Sequence, residues 1–179
     1  MITTDNFKQL LINIGFTESV NTVSEINVSD LFVRKFNFQN CELKADFLNK
    51  ELIYPSEIIA HRETTKNFSQ KENFVVFECI CRLLERGYLP NHIELEKPMP
   101  GGHHDTGGFC DIIVKDNNNK PYLLIECKTP GYEFGEAWKK MLLDGGQLFN
   151  YYNSYRQAEF LCLYASDFVD EHANFTSYI

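Results

Sequence analysis

The stretch from Gly107 to Gly135, GGFCDIIVKDNNNKPYLLIECKTPGYEFG, places two carboxylates and an ammonium in the most apolar part of the chain. Two strand-forming runs, FCDIIV and YLLIEC, flank DNNNKP, whose residue types tolerate a tight reversal. This pattern predicts a hairpin with strands at 109–115 and 121–128. If the hairpin is symmetric about the Asn118–Asn119 bond, Asp111 falls directly opposite Glu126. Such cross-strand pairs have Cβ atoms roughly 4.5–5.5 Å apart, where like charges are destabilising. Alternation along the strand puts Lys128 on the face of Glu126 and turns Cys127 the other way.

A solvated sheet face bearing a Glu–Lys neighbour pair is the plainer reading. The apolar flanks on both faces argue instead for burial. Buried without a cation, at least one carboxyl must have a raised pKa. A divalent ion removes the conflict, because Mg²⁺ is commonly held by one or two carboxylates plus water and phosphate oxygens. The chemistry suited to Asp111, Glu126 and Lys128 is metal-assisted hydrolysis of a phosphodiester. The metal polarises the phosphoryl group and acidifies water, while the ammonium orients that water or offsets developing charge.

The rest of the chain predicts an α/β (α+β) architecture. Phe7, Leu10, Leu11 and Ile14 recur at helical spacing over 4–14. DLFVRKF, CELKADF and ELIYP then read as a three-stranded meander, with Leu43, Ala45 and Phe47 on one face. Residues 56–70 read as a polar linker. Beyond it come helix 70–87, strand 92–97, the hairpin, helix 133–153 and strand 159–165. This predicts an N-terminal helix and meander over 1–68, followed over 69–179 by a central mixed sheet flanked by helices.

Three further residues draw attention. In ENFVVFECICRLLERGY, Glu78, Arg82, Glu85 and Arg86 form the polar face of a helical wheel, whereas Glu72 falls among Val76, Cys79 and Leu83. Glu72 is thus a candidate metal or water ligand, or the second member of a Ser69-x-x-Glu72 capping box, and the two are compatible. Gln147 and Tyr151 lie one helical turn apart and offer hydrogen bonds to phosphate oxygens or to a nearby DNA strand. His103, His104, Cys110 and Cys127 match no zinc spacing, and the glycines around 101–108 form no nucleotide-binding loop.

The net charge of −8 counts against a simple nucleic-acid-binding module, so DNA affinity must come from a local patch, a bound cation or another polypeptide segment. Six scattered cysteines and an N-terminus without a signal core point to a reduced, cytoplasmic setting with no membrane span.

A Glu-bearing helix followed by strand, Asp, hairpin and ECK resembles the PD-(D/E)xK nuclease superfamily, with Cys110 in place of the proline. More narrowly, residues 70–168 are similar to the N-terminal nuclease domain of type I restriction enzyme R subunits, including restriction-modification polypeptides that also carry an N6-adenine methyltransferase. The resemblance implies a restriction-endonuclease-like core and DNA endonuclease activity against foreign DNA. It implies metal binding by Asp111 and Glu126, catalysis by Lys128, and Glu72 as the early acidic residue. Gln147 and Tyr151 match the family's Gln-x-x-x-Tyr motif. The implied cofactor is Mg²⁺, with Mn²⁺ able to substitute. The implied partners are double-stranded DNA and methyltransferase or helicase domains of the same polypeptide or complex, so the chain is expected to be an N-terminal piece of a longer protein. Two alternatives stay open: a catalytically silent module that docks on DNA or a methyltransferase, and a stand-alone repair or junction nuclease.

Overall fold

The computed structural model describes residues 1–19, 30–99 and 108–179. The loop histidines and the glycines at 101, 102 and 107 lie outside them. The fold is α+β with two sheets. Helix α1 (Thr4–Asn13) starts where the Asn6 side chain accepts the Thr3 N–H at 2.8 Å. Strands β1 (Thr17–Ser19), β2 (Leu31–Lys35), β3 (Glu42–Asp46) and β4 (Glu51–Ile53) then form an antiparallel meander in chain order. Leu43 and Ala45 are buried, as the alternation in CELKADF predicts.

The second sheet contains β5 (Ile59–Ala60), β6 (Ile93–Pro98), β7 (Phe109–Lys115), β8 (Pro121–Cys127), β9 (Phe160–Val169) and β10 (His172–Tyr178). Their spatial order is β10-β9-β8-β7-β6-β5. The β5/β6 and β8/β9 pairs are parallel and the rest antiparallel. The parallel β8/β9 pair requires a crossover, which α3 (Tyr132–Asp144) and α4 (Gly146–Ser154) provide. Alternate residues of the hairpin feed opposite cores. Ile112, Val114, Leu123 and Ile125 join α2 (Lys71–Glu85), α1 and the meander, while Ile113 and Leu124 join Leu148 and Tyr151 of α4.

The larger core is aromatic. Phe7 of α1 lies 4.5 Å from Phe74 of α2, centroid to centroid, and edge-on to Phe68 at 5.6 Å. Such pairs add to the stabilisation from burial itself. The meander and the larger sheet are therefore joined through one hydrophobic core.

The structure corrects four expectations. Residues 56–70 are not a plain linker, because β5 lies within them and edges the larger sheet. Helix 133–153 is two helices, broken at Gly145 and Gly146, whose φ values are +84° and +54°. A Cβ on Gly145 would sit 2.6 Å from the Phe149 Cβ. Strand β10 went unforeseen, and so did its consequence for α2. Glu78, assigned to the polar face, is buried, with Arg82 Nε at 2.5 Å and the Tyr164 hydroxyl donating at 2.6 Å. Phe175 of β10 stacks under Arg82 at 4.1 Å and covers that side of the helix. Finally, Ser69 caps nothing. Its hydroxyl turns to Asn67 Oδ1, and the N-cap position of α2 is Gln70, which makes no side-chain cap, so the capping-box reading of Glu72 fails.

Candidate active site

The hairpin turn is built by Asp116, whose carboxylate accepts the N–H groups of Asn118 (2.9 Å) and Lys120 (2.8 Å). Asn119 takes the left-handed conformation (φ +62°) that asparagine tolerates. The symmetric register holds through Val114↔Leu123, Ile113↔Leu124 and Ile112↔Ile125, slipping only between Val114 and Lys115. One residue further along, the ladder stops. There the Asp111 carboxylate replaces a backbone carbonyl and accepts the Cys127 N–H at 2.6 Å.

Asp111 and Glu126 are both buried, at 7% and 3% exposure. Lys128 reaches Glu126 Oε1 at 2.7 Å and Glu72 Oε1 at 2.8 Å. The first turn of α2 thus supplies a third carboxylate to the same ammonium. The structure brings Asp111, Glu126, Lys128 and Glu72 together, and Cys127 turns into the α2 core.

Burial pushes the Asp111 carboxyl well above its ordinary value, and the neighbouring Glu126 charge adds to the shift. Burial likewise lifts Glu126 to about 7, against the pull of Lys128. Burial works against the Lys128 ammonium, but Glu126, Asp111 and Glu72 outweigh it and raise its pKa. One lysine thus fails to compensate two buried acids fully.

Gln147 and Tyr151 form the wall behind them. Gln147 Nε2 donates to the Tyr151 hydroxyl at 3.1 Å, and that hydroxyl donates to the Phe109 carbonyl at 2.6 Å. With its single proton committed there, Tyr151 cannot serve Glu126. Glu126 Oε2 is buried without a hydrogen-bond partner among the described residues. Glu126, Lys140 and Gln147 line a cleft of 180 Å³ beside the α3/α4 break.

The orphaned Glu126 oxygen tests whether this donor set suits a metal. A buried carboxylate oxygen without a proton donor is what a hard cation ligates, so the residues fit Mg²⁺. No group of three or more His, Cys, Asp or Glu among the described residues forms a metal cage. Mg²⁺ does not need one, because it retains waters and takes substrate oxygens. The six cysteines are free and buried.

Two residues of this region were not foreseen. Glu96 of β6 is left-handed (φ +49°) in mid-strand, between the pairs Leu95↔Ile112 and Lys97↔Cys110. Burial raises its pKa, and it feels the charges of Arg62, Glu72 and Lys128. Arg62, just past β5, lies 3.5 Å from Glu96 Oε2. In the sequence IELEKP, Glu96 reads as an ordinary outward charge, and nothing local signals its backbone.

The profile of the family described as the type I restriction enzyme R protein N terminus matches residues 71–164. The chain belongs to this family. No curated protein matches it. In this R-protein N-terminal chain, the matched segment runs from α2 into β9 and contains Glu72, Asp111, Glu126, Lys128, Gln147 and Tyr151. It leaves out α1, the meander, Arg62 and β10 of the R-protein chain. Among the described residues, no helix is long and apolar enough to cross a membrane.

Proposed function

We propose that this chain is the metal-dependent DNA endonuclease domain of a type I-like restriction-modification enzyme, with the PD-(D/E)xK constellation Asp111, Glu126 and Lys128. The observation that carries this reading is a pair of adjacent buried carboxylates, both driven toward neutrality, with one ammonium in contact with Glu126 and one Glu126 oxygen left unpartnered. Such an arrangement is costly unless a cation completes it.

Asp111 and Glu126 would hold Mg²⁺, or Mn²⁺ in its place. When bound, the ion would polarise the phosphoryl group and lower the pKa of a coordinated water. Lys128 remains protonated, so its role is to orient the attacking water or to offset charge developing on the phosphate oxygens. Glu72 holds the ammonium from its far side. Gln147 and Tyr151 fix the backbone at Phe109, two residues from Asp111, and Gln147 lines the cleft into which a DNA strand could reach. The substrate is double-stranded DNA, encountered in the cytoplasm. Methyltransferase or helicase domains, in the same polypeptide or complex, read and move it. One constellation cuts one strand, so a double-strand break needs two copies.

The test is nicking of supercoiled plasmid with Mn²⁺ by the wild type, Asp111→Ala and Lys128→Ala. The wild type should nick and both variants should be silent. Equal nicking by all three would place the cutting elsewhere.

A further inference from the structure

We infer that Arg62, from the segment preceding the family-matched region, is a DNA phosphate contact at the mouth of the carboxylate site, held by Glu96 when no DNA is bound. The inference rests on the nuclease reading for its substrate class, and its test separates the two.

Strand β5 fixes where Arg62 stands. Ile59 and Ala60 pair in parallel with Glu94 and Leu95, and the His61 N–H extends the ladder to the Leu95 carbonyl at 3.0 Å. The chain thus delivers Arg62 beside Glu96. Its guanidinium lies 4.4 Å from the centre of the Phe109 ring, which supports a cation on its face. Phe109 opens β7 two residues before Asp111 and its carbonyl anchors Tyr151, so Arg62 stands over the residue that leads into the carboxylate cluster.

The contact to Glu96 is loose, at 3.5 Å. The Arg62 side chain is 43% exposed against 17% for Glu96, so it keeps donors open toward solvent. A guanidinium has five N–H donors in a fork that matches phosphate oxygens. Lys128, 18% exposed, is engaged by Glu126 and Glu72 inside the cluster, which leaves Arg62 as the more open cation at its edge. The left-handed backbone at Glu96 is disfavoured for a non-glycine residue, and such conformations concentrate where a side chain must be aimed. Here it aims a carboxylate at Arg62.

The surroundings favour an anion. Two ammoniums, Lys97 at 3.0 Å and Lys115 at 3.1 Å, stand around the one buried carboxylate of Glu94. This local positive excess, in a chain of net charge −8, adjoins the strand that carries Arg62. A phosphate backbone approaching Asp111 and Glu126 needs such relief from their charge. Arg62 exchanges Glu96 for phosphate as the DNA seats.

The experiment measures duplex DNA binding by fluorescence anisotropy over a range of salt, in EDTA, for the wild type, Arg62→Ala, Arg62→Lys and Glu96→Gln. Arg62→Ala should weaken binding roughly tenfold. It should also reduce the slope of log K against log salt by about 0.9. Arg62→Lys should retain the slope, and Glu96→Gln should tighten binding because the competing carboxylate is gone. A brace of purely structural value would not give opposite signs for the two partners. Wild-type affinity and slope in Arg62→Ala, weaker binding in Glu96→Gln, or no DNA binding by the wild type would each overturn the inference. Nicking with Mn²⁺, compared with Asp111→Asn, is scored separately. Arg62-dependent binding without any nicking removes the nuclease reading and keeps Arg62. Asp111-dependent nicking with unaltered binding by Arg62→Ala does the reverse.

Discussion

Replacing Glu126 with glutamine should make the metal-free protein more stable at alkaline pH. The carboxyl has an ordinary value of 4.5 and titrates at about 7 in the fold, with burial the largest cause. An acid with a raised folded-state pKa binds more protons folded than unfolded between those two values. Stability therefore falls as pH rises from about 4.5 to about 7, and the full cost is present above 7. Roughly 2.5 pH units separate the values, each worth about 1.36 kcal/mol, so ionised Glu126 costs about 3 kcal/mol. The attraction of Lys128 is already contained in that figure. Glutamine mimics the protonated acid in size and shape, so Glu126→Gln should recover most of the 3 kcal/mol at pH 8 and almost nothing at pH 4.5. For a chain of this length the gain corresponds to a rise in Tm of roughly 6–12 °C. Urea and thermal unfolding of both proteins in EDTA, at pH 4.5 and pH 8, measure it. A glutamine variant equal to or less stable than the wild type at pH 8 would refute the claim that burial, uncompensated by Lys128, dominates this site.

Other perturbations test neighbouring parts of the structure. Lys128→Met removes the one cation that contacts Glu126 among the described residues, and should cost about 3–5 kcal/mol by urea unfolding at pH 8. Its cost should shrink at pH 5, where Asp111 and Glu126 take up protons. Gly145→Ala forces a Cβ against Phe149 at a left-handed position and should destabilise by about 1–3 kcal/mol, read as a lower urea midpoint with unchanged m-value. Tyr164→Phe deprives buried Glu78 of its hydroxyl donor, with an expected loss of about 1–3 kcal/mol. Millimolar Mg²⁺ should raise the Tm of the wild type at pH 8 and leave Glu126→Gln nearly unmoved. Equal shifts in both would place the ion elsewhere.

The hairpin shows why so much of the candidate site could be read from the chain. Its register depends on a short turn and on strict alternation, both local, so the pairing through Ile112↔Ile125, with Asp111 and Glu126 next beyond it, followed from counting. The faces of Cys127 and Lys128 followed the same way. Local pattern failed where coverage by distant elements decided the outcome. Glu78 reads as a surface charge on any helical wheel, yet the β9/β10 hairpin buries it with Tyr164 and Arg82. The α3/α4 break was visible as Gly145-Gly146, but apolar periodicity continues through it and masks the change of direction. Glu96 and Arg62 left no trace, because one depends on a backbone angle and the other on a two-residue strand.

By itself, the sequence determined α1, α2, the meander strands β2–β4, strands β6–β9, the hairpin register and the placing of acid, acid and lysine on neighbouring strands. Those follow from propensity and periodicity within a few residues. Tertiary structure alone decided how deeply the carboxylates are buried, that Glu72 rather than solvent meets Lys128, and that β5 brings Arg62 to the same edge. The physical reason is that desolvation depends on everything packed around a group. A carboxyl in YLLIEC titrates near 4.5 in water and near 7 here because α2, α4 and the flanking strands exclude the water that would have stabilised its charge.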